Sequence, residues 1–198
     1  FTRLKLPWFA DVYLVSIFDK SWYERSLVVY YLAHGESAIY RLAGKSDVIH
    51  KINAEASINI NESNFIDYLN FFCYFVRGDE GPFYIIESIE DPLTKKLINE
   101  KLSKQIEPVI SKIKYKGRNQ SGHFLCYVSV FYSNAIFNSL MAVHKTGMVE
   151  MLNDNPRLAD LPIRIDYPLS IEDKKDLTTK EKSQSDDQEI VVTPPLAS

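Results

Sequence analysis

Two cysteines and four histidines are the residues of this chain best suited to nucleophilic catalysis or metal binding. A catalytic thiol needs a neighbouring base, and Cys126 with His123, His144 or His50 is the set that the sequence offers. Cys126 lies on the apolar side of a predicted strand, where a free cysteine usually acts as a small hydrophobic residue. The histidines lack the short paired spacing of a metal site. We therefore predict no catalytic set, no metal site and no cofactor.

Acidic residues beside glycines are the next candidates, for acid–base chemistry or phosphate binding. Asp79 and Glu80 lie between Gly78 and Gly81, a pattern that is typical of an exposed turn. Neither glycine begins a helix after a strand, as a phosphate-binding loop requires. This segment therefore predicts a turn and gives no indication of nucleotide hydrolysis.

Length and composition indicate a protein with a substantial core. A chain of 198 residues forms one domain, or one domain with a tail. Its aromatic share of 13% is high beside an ordinary hydrophobic share of 45%, which predicts an aromatic-rich core or pocket. Two cysteines without paired spacing favour an intracellular, cytoplasmic protein. The chain begins at Phe1 rather than Met, which suggests a truncated start with which a targeting signal could have been lost.

The most informative pattern is a helix predicted over residues 61–76. It has apolar residues at helical spacing and aromatic residues on its other flank, so it must be covered on most sides. Asn61 or Ser63 is the expected cap, and Arg77 with Gly78 is the expected end of the helix. The apolar and aromatic positions are Phe65, Ile66, Tyr68, Leu69, Phe71, Phe72, Cys73, Tyr74, Phe75 and Val76.

The remaining patterns predict the elements that surround this helix. Strands are expected over residues 11–18, 26–32, 38–42, 82–88, 123–132 and 148–152, and a short helix over 47–54. A second amphipathic helix is predicted from Asp91 to Ile113, kinked or split at Pro108. Residues 115–122 read as a polar loop. Residues 136–144 fit a strand or a helix, and we favour the strand because it continues a meander.

Grouped strands and helices predict an α+β protein with a largely antiparallel sheet packed on a buried aromatic-rich helix. The predicted organisation is a single domain over residues 1–168. The segment 169–198 is polar, with little apolar content to offset the entropy of ordering, and we predict a disordered tail.

Charge is unevenly distributed along a chain whose net charge is −3. Residues 95–118 carry eight basic residues against two acidic ones, so this segment is the candidate nucleic-acid surface. The net charge argues against nucleic-acid binding as the main function. The candidate residues are Lys95, Lys96, Lys112, Lys114, Lys116 and Arg118.

Two features suggest contact with another protein. Two tryptophans occupy poorly periodic positions, as residues of an exposed docking surface would. The tail ends in a short apolar run followed by two prolines, a segment that could pair with a sheet edge or enter an aromatic groove. The predicted partner-binding residues are Trp8, Trp22, Ile190, Val191, Val192, Pro194 and Pro195.

Our leading hypothesis is a non-catalytic protein-interaction module, or a subunit of a larger assembly, that binds a protein partner. The alternative is a small-molecule-binding or isomerase-like domain with an aromatic pocket around the central helix. Nucleic-acid binding through the basic segment is the weaker alternative. The pocket residues would be Tyr40, Tyr68, Tyr84, Tyr127 and His144.

Overall fold

The structure is a computed structural model that describes residues 1–19, 27–35, 38–91, 94–166 and 169. Of residue 27 it describes the backbone alone. Of the predicted disordered tail, only Leu169 is among these residues, and it is buried in the core. The disorder of the rest and the domain boundary at residue 168 stay predictions. Trp22 and the predicted binding residues of the tail, at 190–192, 194 and 195, lie outside the described residues.

The first sheet is an antiparallel meander of four strands. They are β1 (Thr2–Lys5), β2 (Val12–Asp19), β3 (Leu27–His34) and β4 (Ala38–Leu42), in the spatial order β1-β2-β3-β4. Leu14 pairs with Leu32 and Leu32 with Tyr40, so each row of side chains crosses the sheet. The three predicted strands are confirmed. β1 was not predicted, because it has no apolar alternation and its four residues are exposed.

Two helices follow the first sheet. Helix α1 (Asp47–Glu55) confirms the short predicted helix, and α2 (Phe65–Phe75) confirms the central one. The predicted cap is wrong, because Asn64 precedes the helix and residues 61–64 form a turn. Within that turn the side chain of Asn61 accepts a hydrogen bond from the backbone N–H of Ser63. The segment is therefore held as a turn before the helix begins.

The second sheet is built around the hairpin β9 (Phe124–Tyr132) and β10 (Ala135–Val143), with β11 (Val149–Leu158) beyond β10. The strand interpretation of residues 136–144 is confirmed. Two strands pair with the other edge of β9: β7 (Tyr84–Ile85) and β8 (Lys114–Arg118). The predicted polar loop over 115–122 is thus wrong in its first half. Pairing with β9 and packing of Tyr115 on Phe65 outweigh the polar local sequence.

Two further predictions about this region are corrected. The strand expected over 82–88 is divided between β7 and a two-residue ladder of β5 (Arg77–Gly78) with β6 (Gly81–Pro82). The long second helix is wrong, since α3 covers only Glu100–Ile106 and a 3-10 turn follows at Glu107–Val109. The side chain of Asn99 accepts the backbone N–H of Leu102 at 3.0 Å and so fixes the start of α3.

The core is a continuous aromatic cluster in which α2 contacts both sheets. The ring centroid of Phe75 lies 5.0 Å from that of Tyr30 in the first sheet. Phe65 stacks on Phe124 of the second sheet, with ring centroids 4.8 Å apart. The α+β class with antiparallel sheets around an aromatic-rich helix is therefore confirmed. Trp8 is only 3% exposed and packs edge-on against Tyr68. The prediction that Trp8 lies on an exposed docking surface is wrong, because the tryptophan covers one side of the buried helix.

Candidate functional site

Tyr68, the first of the predicted pocket residues, is a buried structural group. Its hydroxyl donates to the backbone oxygen of Gly147 at 2.6 Å and accepts from the Asn53 amide at 2.8 Å. Burial raises the pKa of this hydroxyl, which stays protonated. The three residues join α1, α2 and the turn between β10 and β11. Tyr68 therefore positions elements, with its polar end already in use.

The other predicted pocket residues lie in different surroundings. The His144 ring stacks on His123 with centroids 3.5 Å apart, next to the turn that Tyr68 holds. Tyr40 donates to the Glu55 carboxylate of α1, a hydrogen bond that raises the tyrosine pKa. Tyr127 is 44% exposed on β9. Only Tyr68 and His144 are brought to the same turn, so these five residues do not line one aromatic pocket around α2.

Tyr84, the fifth of them, lines a cavity of about 230 Å³ between α2 and β7. Its hydroxyl donates to the Asp91 carboxylate. The described residues that line it are Asn70, Tyr74, Phe83, Tyr84, Ile85, Glu87 and Asp91. Tyr84 is thus the predicted pocket residue that lines this cavity.

The thiols are unsuited to nucleophilic catalysis. Cys126 and Cys73 are both buried free cysteines. Burial raises the pKa of each thiol to about 12, with a smaller contribution to Cys73 from the nearby Cys126. A thiol with such a pKa carries almost no thiolate at neutral pH. Among the described residues, no group of three or more His, Cys, Asp or Glu side chains could hold a metal ion.

The basic segment predicted for nucleic acid is divided among several elements. Lys95 forms an ion pair with Glu90 at 2.6 Å, and Arg118 lies 3.8 Å from the carboxylate of Glu62. Lys114, Lys116 and Arg118 are exposed on β8, whereas Lys95, Lys96 and Lys112 are exposed in segments that flank α3. Acidic residues from elsewhere in the chain thus interrupt the positive charge that the linear sequence indicates.

A surface that the sequence did not indicate is the side of the first sheet turned away from the helices. Ser16, Leu32 and Leu42 are buried on the inner side, so the alternating positions point outward. We call this surface the outer face. Its described side chains are Arg3, Lys5, Tyr13, Val15, Ile17, Val29, Tyr31, Ala33, Ile39 and Arg41, with Asp19 at one end.

The outer face has an apolar centre and a basic rim. Val15, Val29 and Tyr31 are half-buried on the two central strands, and Ile17 beside them is 47% exposed. The basic residues occur on the edge strands β1 and β4, where the Arg3 guanidinium lies 3.5 Å from the centre of the Tyr13 ring. A continuous apolar run in β3, in place of alternation, was the available sequence signal for burial on both sides.

No known protein family, curated protein or solved structure matches this chain. Within the part of the chain that the structure describes, helices long and apolar enough to cross a bilayer are absent. A function therefore has to be inferred from the surfaces and cavities themselves.

Proposed function

We propose that this chain is a non-catalytic module that binds a protein partner through the outer face of the first sheet. The observation that carries the proposal is the arrangement of an apolar centre inside a basic rim. An antiparallel sheet with one side in water normally carries polar residues there. A desolvated apolar core surrounded by a polar rim is the usual anatomy of a protein–protein interface.

The charges of the rim indicate the chemistry of the partner. Arg3, Lys5 and Arg41 supply positive charge around the centre, and Asp19 is the acid among the described residues of the face. The complementary surface is an apolar patch rimmed by Asp and Glu. A second copy of this chain would set one basic rim against another, which disfavours self-association through this face.

The aliphatic side chains favour a protein over a nucleic acid. Sheets that bind single strands place aromatic rings where the bases stack. The outer face carries two rings, Tyr13 and Tyr31, and the Arg3 guanidinium lies over the first of them. The central residues Val15, Ile17 and Val29 are aliphatic and offer no surface for base stacking. Contact with apolar side chains of a partner would remove them from water, worth about 25 cal/mol per Å² of apolar surface.

Paired substitutions test the proposal. Ile17→Lys places a charge in the centre of the outer face, and Leu152→Lys places one on β11. The two native residues are matched in exposure, because Ile17 is 47% exposed and Leu152 is 49% exposed. Each protein serves as bait in native extract, and the captured proteins are identified by mass spectrometry. We expect both variants to unfold at similar temperatures, and Ile17→Lys alone to lose its protein partner.

A second pair examines the rim. Exchanging Arg3 and Lys5 for Glu reverses two basic charges on β1, whereas the same exchange at Lys101 and Lys104 reverses two exposed charges on α3. Loss of capture with the first pair alone supports an acidic partner surface. Equal capture by all variants, or a partner lost equally with Leu152→Lys, would refute the assignment to the outer face.

A further inference from the structure

We infer that the cavity between α2 and β7 is a binding site for the ammonium head group of a small organic cation. This site is separate from the outer face and does not depend on the proposed protein partner. The inference rests on three properties of the cavity: its aromatic walls, its charge and its size.

Three of the lining residues are aromatic, and neighbouring rings hold two of them in place. Phe83 stacks on Tyr132 with centroids 4.6 Å apart and planes within 7° of parallel. Tyr74 packs edge-on against Phe75 and Tyr30, with ring centroids 4.9 Å and 6.3 Å away, respectively. Because these contacts fix the rings before a ligand arrives, the walls are preorganised. Aromatic faces attract cations through the ring quadrupole.

The charged side chains in the described lining of the cavity are acidic. Glu87 and Asp91 contribute carboxylates, and Lys, Arg and His are absent from the described lining. Hydrogen bonds hold both carboxylates: Tyr84 donates to Asp91, and the backbone N–H of Ile113 donates to Glu87 at 2.7 Å. A carboxylate accepts hydrogen bonds and cannot donate them, so the complementary ligand brings positive charge, N–H donors or both.

Size limits the ligand to a head group. The cavity volume of about 230 Å³ lies below the range of roughly 300–1,000 Å³ typical of sites for drug-sized molecules. One substituted ammonium group with a short chain fits this space, whereas a nucleotide or a large cofactor does not. Asn70, four residues before Tyr74 on α2, adds an amide to the same wall.

Choline and its neutral isostere 3,3-dimethyl-1-butanol test the inference. The two probes have nearly the same shape and differ in charge, and each is titrated into the ¹⁵N-labelled full chain while amide shifts are recorded. We expect choline to shift the resonances of residues 70–91 and to bind at least about tenfold more tightly than the alcohol, because the cation–π and carboxylate interactions require charge.

Two variants assign the effect to the cavity. Glu87→Gln keeps an oxygen that can accept the Ile113 N–H but removes the charge, whereas Glu107→Gln removes an equal charge from an exposed residue outside the lining. Choline affinity should fall about tenfold with Glu87→Gln, because a carboxylate interacts more strongly with a cation than an amide does. It should stay unchanged with Glu107→Gln.

Every outcome of this titration decides the question. Equal affinity for the two probes would overturn the inference of a cation site, and so would equal weakening by both variants. Shifts that are confined to residues other than 70–91 and Ile113, or no shifts at millimolar choline, would refute the location. In a second titration a lysine or trimethyllysine peptide replaces choline. Tighter binding of the peptide than of choline would indicate a head group carried by a polypeptide, and weaker binding would indicate a free amine.

Discussion

Replacing Gly147 with alanine is expected to destabilise the protein far more than the same change at Gly122. Both glycines have left-handed backbone conformations, with φ of +82° at Gly147 and +78° at Gly122. A Cβ at Gly122 would have no other atom within 4 Å. A Cβ at Gly147 would overlap the Asn53 amide nitrogen and lie 2.5 Å from the Tyr68 hydroxyl oxygen. Gly147→Ala therefore adds a steric conflict to the cost of the left-handed conformation, which both substitutions share.

The expected magnitudes follow from these contacts. A left-handed conformation costs a non-glycine residue about 1–2 kcal/mol, which is the whole expected effect at Gly122. At Gly147 the new methyl group also displaces the buried hydrogen bonds among Asn53, Tyr68 and the Gly147 carbonyl. Leaving such buried groups unsatisfied costs about 1–3 kcal/mol each. We therefore expect a total loss of about 3–8 kcal/mol for Gly147→Ala, from the backbone cost and the two hydrogen bonds.

Urea unfolding followed by circular dichroism measures both changes on the full chain. The difference between Gly147→Ala and Gly122→Ala should exceed about 2 kcal/mol, because only the first disturbs the buried hydrogen bonds. The same difference should shrink in an Asn53→Ala background, where the closest overlap has been removed. Two alanine variants within about 0.5 kcal/mol of each other would refute the argument that this turn is anchored to α1 and α2.

The remaining predictions concern the thiols and helix α3. At pH 8, Cys73 and Cys126 of the native protein should react with a disulfide reagent more than about a hundredfold more slowly than in the unfolded chain. The reason is that burial raises the pKa of both thiols to about 12. Rapid labelling of the native protein would contradict this prediction. Because these folded-state pKa values lie above the ordinary 9.0, the thiols' contribution to the free energy of unfolding is complete below pH 9 and is lost as pH rises towards 12. In a Cys126→Val variant the free energy of unfolding should therefore fall less steeply with rising pH. Asn99→Ala should lower the free energy of unfolding by about 1 kcal/mol through loss of the Leu102 cap bond, while Asn99→Asp should retain it; equal urea midpoints for all three proteins would show that the cap is unimportant.

The parts of the fold that the sequence predicts well are those with strong apolar periodicity. Helix α2 and strand β9 bury so much apolar surface that their patterns are visible without tertiary information. The parts predicted wrongly depend on partners distant in sequence. β1 and β8 are polar and become strands because β2 and β9 offer them an edge. The second helix is shortened because the Asn99 cap sets its start.

The candidate surfaces were harder to predict than the fold. Spacing alone could not show that Trp8 faces α2, because the tryptophan lies in a segment without regular periodicity. Nor could it assemble the cavity, whose lining combines α2, β7 and the segment that follows β7. The outer face becomes visible only when the strand register identifies which side of the first sheet packs on the core.

Site-specific photo-crosslinking in native cells tests the role of the outer face most directly. A benzophenone amino acid replaces Tyr31 on the outer face in one protein and Tyr127, an exposed tyrosine of the second sheet, in the other. We expect position 31 to give an adduct with one defined protein that carries an acidic surface, and Ile17→Lys to abolish that adduct. The same adduct from position 127, no adduct from position 31, or an adduct with a second copy of this chain would contradict the proposed function.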